Sequence, residues 1–183
     1  MKLFYLFLLL LGMNTITLGQ ESSSRMDMRL GGGFIYHGKS DLLANSFEGE
    51  VNYRLTDKWA TSLSIGLGKS EGGEYASSNY VLSNLNGYFS PFKNTNKTDF
   101  RIGTGFSVMK ISNAKISSYR IEDGYYIPNT YGFYKNRRFG FNLVVENTIK
   151  LTENLLLGIR IQNQTYLEEG NNTGLQLKFG FRM

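Results

Sequence analysis

The stretch VNYRLTDKWATSLSIGLG, from Val51 to Gly68, keeps a period of two on both sides of a short polar break. Before the break, Val51, Tyr53 and Leu55 alternate with Asn52 and Arg54. After it, Trp59, Thr61, Leu63, Ile65 and Leu67 alternate with Ala60, Ser62, Ser64, Gly66 and Gly68. Period two belongs to a strand, and Thr56-Asp57-Lys58 has the composition of a turn, so the segment predicts a β-hairpin. One face is apolar and the other polar. Alternation alone does not say which face is wet. With the apolar face inward the chain is a soluble barrel or sandwich. With that face outward, the surrounding solvent is lipid.

The same period recurs in eight segments. They run over Arg25–His37, Ser46–Leu55, Trp59–Lys69, Tyr80–Ser90, Phe100–Lys110, Arg138–Leu151, Leu155–Tyr166 and Gly174–Met183. Three-residue turns, Thr56-Asp57-Lys58 and Thr152-Glu153-Asn154, follow the second and sixth, and a compact polar connection over 91–98 follows the fourth. Longer connections follow the others, the longest spanning Ile111 to Arg137. An even strand count, with short turns at one end and long loops at the other, is the layout of a bacterial outer-membrane barrel. The expected fold is therefore all-β: an eight-stranded antiparallel up-and-down transmembrane β-barrel. A weak internal echo, EVNYRLTDKW against ENTIKLTENL, reads as two equivalent hairpins and not as a solenoid repeat.

The first residues, MKLFYLFLLLLGMNTITLGQ, place Lys2 before an apolar run from Leu3 to Leu11. Thr17 and Gly19 are small residues at positions −3 and −1 of a cut before Gln20. This predicts a cleaved secretory signal peptide over 1–19 and a barrel domain over 20–183; the apolar run is too short for a spanning helix. The chain has no cysteine, which excludes disulfides, thiolate metal sites, a thiol nucleophile and a lipoprotein anchor. Its 20 basic residues outweigh 15 acidic ones, but they are scattered, with only Arg137 and Arg138 adjacent, unlike the clustered face of a nucleic-acid binder. The 21 glycines, 12 tyrosines and 13 phenylalanines against 2 prolines suit regular strands.

Three features favour lipid outside. The polar face is rich in small residues, such as Gly31, Gly33, Ser62, Ser64, Gly66, Gly68, Gly103, Gly105, Gly158 and Gly180. An eight-stranded barrel is just wide enough to be filled by its own side chains, so long ones need small neighbours. On that face Arg29, Arg160 and Lys178 balance Glu48, Glu50 and Glu146, as a closed interior requires of buried charges. Finally, Tyr36, Tyr53, Trp59, Phe89, Phe100, Phe139 and Phe181 stand near segment ends, where membrane-interface girdles would lie. The competing reading makes these aromatics the core of a soluble, lipocalin-like periplasmic cup that binds apolar ligands.

With these features the chain resembles the small eight-stranded outer-membrane barrels of the OmpA/OmpX kind, as found in Bacteroidetes-like Gram-negative bacteria. The resemblance covers the whole of 20–183. It rests on the leader, the LTDKW and LTENL turns, and the final GLQLKFGFRM. In that family the last strand ends in an aromatic or apolar residue read by the barrel-assembly machinery; here Phe179, Phe181 and the terminal Met183 stand there. The resemblance implies outer-membrane lipid and lipopolysaccharide around the wall, and the assembly machinery as a partner. It also implies that strands five and six can be prolonged into a protruding hairpin, as in OmpX-like proteins. A monomer with no cofactor and no peptidoglycan-binding domain after strand eight is expected. On activity the pattern is silent.

Chemistry candidates are sparse. His37, the one histidine, precedes Ser40 and Asp41 in HGKSD. A Ser-His-acid set would suit a lipid A acyl hydrolase or transferase, but no defining geometry is visible, and an interfacial histidine in a polar loop is the plainer reading. No catalytic residue is assigned and the chain is not expected to be an enzyme. The acidic pairs Glu71/Glu74, Glu122/Asp123 and Glu168/Glu169 lack the spacing of a calcium loop and read as solvated loop charges, so no metal is expected. The stretch from Ile111 to Arg137 carries Tyr119, Tyr125, Tyr126, Tyr131, Phe133 and Tyr134 among Arg120, Lys135, Arg137 and Arg138. Exposed tyrosine and arginine favour recognition, pointing to an extracellular protein or surface as partner. The expectation is a plugged barrel with a structural or adhesive role.

Overall fold

The computed structural model describes residues 25–37, 42–72, 76–92, 97–167 and 170–183. The leader at 1–19, Ser40, Asp41, Glu74, Glu168 and Glu169 lie outside them. Eight strands follow one another: β1 (Met26–His37), β2 (Leu42–Arg54), β3 (Trp59–Gly72), β4 (Ala76–Phe89), β5 (Thr98–Glu122), β6 (Tyr125–Lys150), β7 (Leu155–Tyr166) and β8 (Asn171–Arg182). Each pairs antiparallel with the next, and β1 pairs with β8 from Asp27↔Arg182 to His37↔Asn172, so the sheet closes into a barrel without edges.

The apolar face is the outer face. Leu30 and Phe47 are 73% and 70% exposed, and Leu63, Ile65, Phe106, Leu143, Ile159 and Phe179 likewise project from the wall. The alternate positions, Arg29, Glu48, Ser64, Asn84, Ser107, Glu146, Arg160 and Lys178, are buried inside. A wall this apolar is stable only in lipid, and closure satisfies the backbone groups that lipid cannot. This answers the question left by Val51–Gly68 and excludes the soluble cup, whose apolar face would point inward.

The echo between LTDKW and LTENL is one turn made twice. In the first, the amide of Trp59 donates to Thr56 Oγ1 (3.1 Å) and the amide of Leu55 to Trp59 O (2.9 Å). In the second, Leu155 N donates to Thr152 Oγ1 (3.1 Å) and Leu151 N to Leu155 O (2.9 Å). The threonine hydroxyl takes over a backbone partner, which is why threonine opens both turns.

The interval from Ile111 to Arg137, read from the alternation as the longest loop, is mostly strand: strands five and six are prolonged into a hairpin, as the resemblance implies. β5 has 25 residues and β6 has 26, and they stay paired from Thr98↔Ile149 to Glu122↔Tyr125 with register shifts on both sides of Ser118. At the tip Asp123 (φ 52°) and Gly124 (φ 83°) both take left-handed conformations, as a two-residue type I′ hairpin turn requires. Asp-Gly is the strongest short signal for such a turn; read only as half of an acidic pair with Glu122, it is easily missed.

Inside, three tyrosines each face a glycine on the neighbouring strand. Tyr80 pairs with Gly68, Tyr88 with Gly103 and Tyr166 with Gly140. A β-carbon at Gly68 would fall within the Tyr80 ring. Gly68→Ala is therefore expected to lower stability by about 1–3 kcal/mol through overpacking, and Tyr80→Leu in the same chain to recover part of it. Urea unfolding in lipid vesicles reads both; an unchanged midpoint for Gly68→Ala would count against this packing.

Candidate functional site

The lower half of the interior is an ion-pair network. Strand register brings its members to one height: Arg29↔Glu50 between β1 and β2, Arg101↔Glu146 between β5 and β6, and Glu146↔Arg160 between β6 and β7. Arg160 is the hub and is fully buried. Its Nε donates to Glu146 Oε2 (2.6 Å), Nη1 to Glu48 Oε1 (2.8 Å), and Nη2 to both Glu50 oxygens (2.6 Å each) and to Tyr88 Oη (2.9 Å). Lys178 Nζ donates to Glu48 Oε1 at 2.5 Å and also to Glu50. Glu146 Oε1 accepts from Arg101 Nη2 (2.5 Å) and from Arg29, which also donates to Asp27 Oδ1 (2.6 Å). The Arg101 guanidinium lies 4.5 Å over the Tyr88 ring.

All six charged residues assigned to the interior from the sequence stand in this network. Asp27, Arg101 and Tyr88 join them and were not assigned. Each lies on the polar face of its alternating segment, so the signal was present; the cross-strand register that pairs Arg101 with Glu146 was not. Four cations thus face four carboxylates, the balance that buried charge requires. Glycines make the room: a β-carbon at Gly31 would lie 3.1 Å from Lys178 Cγ, and one at Gly180 2.9 Å from Arg29 Cγ.

Above the charges lies a layer of amides and hydroxyls. Asn142 Nδ2 donates to Asn84 Oδ1 (3.2 Å) and Asn86 Oδ1 (3.0 Å), Gln164 Nε2 to Asn84 Oδ1 (3.0 Å), and Gln176 Nε2 to Ser46 Oγ (3.1 Å). Higher still the interior turns apolar, with Ile35, Ala44, Leu82, Met109, Ile111, Tyr80 and Tyr166 packed together. The sequence reading missed this cap. Its signal was a break in alternation, where an apolar residue follows another: Phe34-Ile35, Leu43-Ala44, Val81-Leu82 and Val108-Met109. The interior is thus occluded by charge below and by hydrocarbon above.

His37 is not a loop residue. It ends β1, points inward and is 4% exposed, with Nδ1 2.9 Å from Asn172 Oδ1 and its ring edge-on to Tyr80 at 5.2 Å. The acid and hydroxyl that the enzyme reading would combine with it lie outside the described residues. Of the acidic pairs, Glu122 meets Arg120 at 3.1 Å on the exposed hairpin and Asp123 forms its turn.

The seven girdle aromatics are on the outer wall, unequally distributed. Tyr53, Trp59, Phe89, Phe100 and Phe181 surround the short-turn end, with the Trp59 and Phe89 rings in tilted contact at 4.9 Å. Only Tyr36 and Phe139 stand toward the other end. There the β5–β6 hairpin continues alone. β7 stops at Tyr166, opposite Gly140, and β4 begins at Ala76, opposite Lys115. Beyond both points Tyr119, Tyr125, Tyr126 and Tyr131 are exposed, as are Phe133 and Tyr134 just below, where β4 still borders β5; Tyr119 meets Tyr126 edge-on at 6.2 Å.

No protein-family model and no curated protein matches the sequence. Solved structures do match in fold. Neisserial surface protein A aligns over 88% of this chain and 98% of its own, with a TM-score of 0.64 and 10% identity. The N-terminal β-barrel domain of Pseudomonas aeruginosa OprF aligns over 86% and 96%, with 0.59 and 16%. Ail, the attachment invasion locus protein of Yersinia pestis, aligns over 87% and 97%, with 0.57 and 8%. At these identities the likeness is one of fold: a small barrel of the outer-membrane type.

Two outcomes follow from the interior. Glu146→Gln leaves Arg29, Arg101 and Arg160 short of a carboxylate and should lower stability by roughly 3–5 kcal/mol, whereas Glu153→Gln in the exposed turn should move it by less than about 0.5 kcal/mol. Urea titration in vesicles separates these. In planar bilayers the occluded interior should give no steady large conductance; a persistent open level would require the ion pairs to part.

Proposed function

We propose that this chain is an attachment protein of the Gram-negative outer surface. In this reading a signal peptide exports it, the barrel-assembly machinery inserts it as a monomer, and its termini and short turns lie in the periplasm. The long hairpin then stands in the medium. The observation that carries the reading is the hairpin itself. It is a folded two-stranded arm and not a slack loop, with four exposed aromatics (Tyr119, Tyr125, Tyr126 and Tyr131), Phe133 and Tyr134 exposed at its foot, and open edges along β6 from Tyr125 and along β5 from Ile116. Exposed strand edges accept a partner by strand addition, and tyrosines supply rigid, amphipathic contact area. Seven residues of β5 beyond Lys115 rise roughly 23 Å at ~3.3 Å per residue, enough to clear the headgroup layer. The likeness to Ail, whose name records attachment, agrees with this role. The occluded interior argues against transport, and the reading assigns no catalytic residue.

The test removes the arm and leaves the barrel. Deleting 116–122 and 125–131 joins Lys115 through Asp123-Gly124 to Gly132 and keeps both register and turn. Bacteria expressing the full chain should adhere several-fold better to protein-coated plates and to one another than bacteria expressing the shortened one. Both proteins should still resist SDS until heated. Equal adherence would reject the attachment role.

A further inference from the structure

We infer that the outer wall between β3 and β6 carries a binding site for a phosphorylated lipid of the outer leaflet, held by Lys110, Lys135 and Arg137 above Leu67 and Val81. The inference rests on the orientation given above, with the hairpin outside. Two rows of outward-facing residues define the site. In the lower row Leu67 pairs with Val81, Val81 with Lys110, and Lys110 with Arg137. In the upper row Lys69 pairs with Asn79, Asn79 with Ser112, and Ser112 with Lys135. Half of the eight positions are cations. A cleft of about 370 Å³ opens there, lined by Leu67, Val81, Lys110, Ser112 and Lys135 among others. That is the size of a small-molecule site.

Lys110 and Arg137 are directly opposite one another on the same face, and Lys135 is the diagonal neighbour. Like charges so placed repel and weaken a sheet. Among the described residues no carboxylate lies within ion-pair distance of these three, so none of those relieves the repulsion. An anion between them would relieve it. Among the described residues near this rim, other outward positions such as Asn45, Tyr36, Thr173 and Asn163 are neutral, and the opposite rim is ringed by aromatics. The positive charge is therefore local and one-sided.

The height of the patch selects the kind of anion. From Phe100 in the lower girdle to Lys110 the strand advances roughly 33 Å, which a tilt of about 40° reduces to roughly 25 Å of vertical rise. That is the height of the apolar band of an outer-membrane barrel, so Lys110 stands at its upper boundary. Leu67 and Val81, 57% and 44% exposed, belong to the wall that meets acyl chains. The occupant must present hydrocarbon to these two and negative charge to the cations beside and above them. A soluble acidic protein cannot reach the lower row through the bilayer; a phosphorylated glycolipid of the outer leaflet already lies there. Lysine and arginine here give point-charge and forked recognition of phosphate.

The test uses the full chain, folded in detergent and shown to be SDS-resistant, incubated separately with bisphosphorylated lipid A, its monophosphoryl form and a fully dephosphorylated form. Native mass spectrometry reads the lipid retained. The wild type should retain the bisphosphorylated lipid at least tenfold better than the dephosphorylated one, with the monophosphoryl form between them. Lys110→Gln, Lys135→Gln and Arg137→Gln should each lower that retention several-fold, and Lys110→Arg should preserve it. Lys58→Gln, in a turn at the far end, should have no effect. Stability supplies a second reading: Lys110→Gln should unfold no earlier than wild type without lipid, and earlier than wild type with bisphosphorylated lipid A. Equal retention of the three lipids, or undiminished retention by the glutamine variants, would overturn the site. Because the shortened-hairpin chain keeps all three cations, loss of adherence and loss of lipid retention are separable.

Discussion

Closure of the sheet between β1 and β8 is the constraint on which everything else depends. Lipid offers no hydrogen-bond partner to a backbone amide or carbonyl, so an open edge would leave a column of unsatisfied groups. The antiparallel ring from β1 back to β8 leaves none within the barrel wall. Once the ring is closed, a period of two in the sequence becomes a division of space. One side of every strand meets hydrocarbon and the other meets a lumen too narrow for bulk water. The same alternation that would place leucines in the core of a soluble sandwich here sends them outward.

A lumen so narrow must be filled, and the filling explains both the glycines and the charges. Long side chains such as Lys178 and Arg29 reach inward because Gly31 and Gly180 leave space beside them. Charge removed from water needs counter-charge within hydrogen-bond reach, and Glu48, Glu50 and Glu146 supply it. The network is a brace: it ties six of the strands to one another through side chains, across the axis as well as around the wall. Its complement is the apolar cap near the upper mouth, where Leu82, Met109 and Ile111 close the lumen without charge. A barrel filled in this way suits a rigid base for something held above it better than a passage.

What is held above it is the β5–β6 arm, and the wall just below the arm is the basic patch. The two features use the same pair of strands at different heights. At the arm's foot the outward residues are Lys110, Lys135 and Arg137; toward the tip tyrosines predominate, with the exposed Arg120–Glu122 pair among them. In the proposed orientation the first set would face the headgroup layer and the second the medium. An anionic lipid bound at the foot would also anchor the base of the arm, so the two proposed surfaces would be mechanically joined while remaining chemically distinct.

The sequence by itself determined the strand count, the faces and most of the strand positions, because period-two alternation is a local property that survives without knowledge of partners. It also determined the repeated threonine turn, since LTDKW and LTENL use the same hydroxyl in the same way. Glu48, Glu50, Glu146, Arg160, Arg29 and Lys178 could be placed on the inner face for the same reason. Which of them touch was decided only by register, a property of two strands at once: nothing near Arg101 in the chain announces Glu146, 45 residues away. The apolar cap needed the closed barrel, because Leu82 and Met109 violate the alternation that made their neighbours legible. The hairpin was expected through the resemblance, which implies that strands five and six can be prolonged, and not through the alternation. Beyond the bilayer neither face is constrained by lipid, so alternation fades between Ile111 and Arg137 and the stretch reads as a loop. Pairing between β5 and β6 and the left-handed Asp123-Gly124 turn make it a strand pair. The basic patch is the extreme case: Lys69, Lys110, Lys135 and Arg137 are scattered along the chain, and only three cross-strand pairings set them side by side.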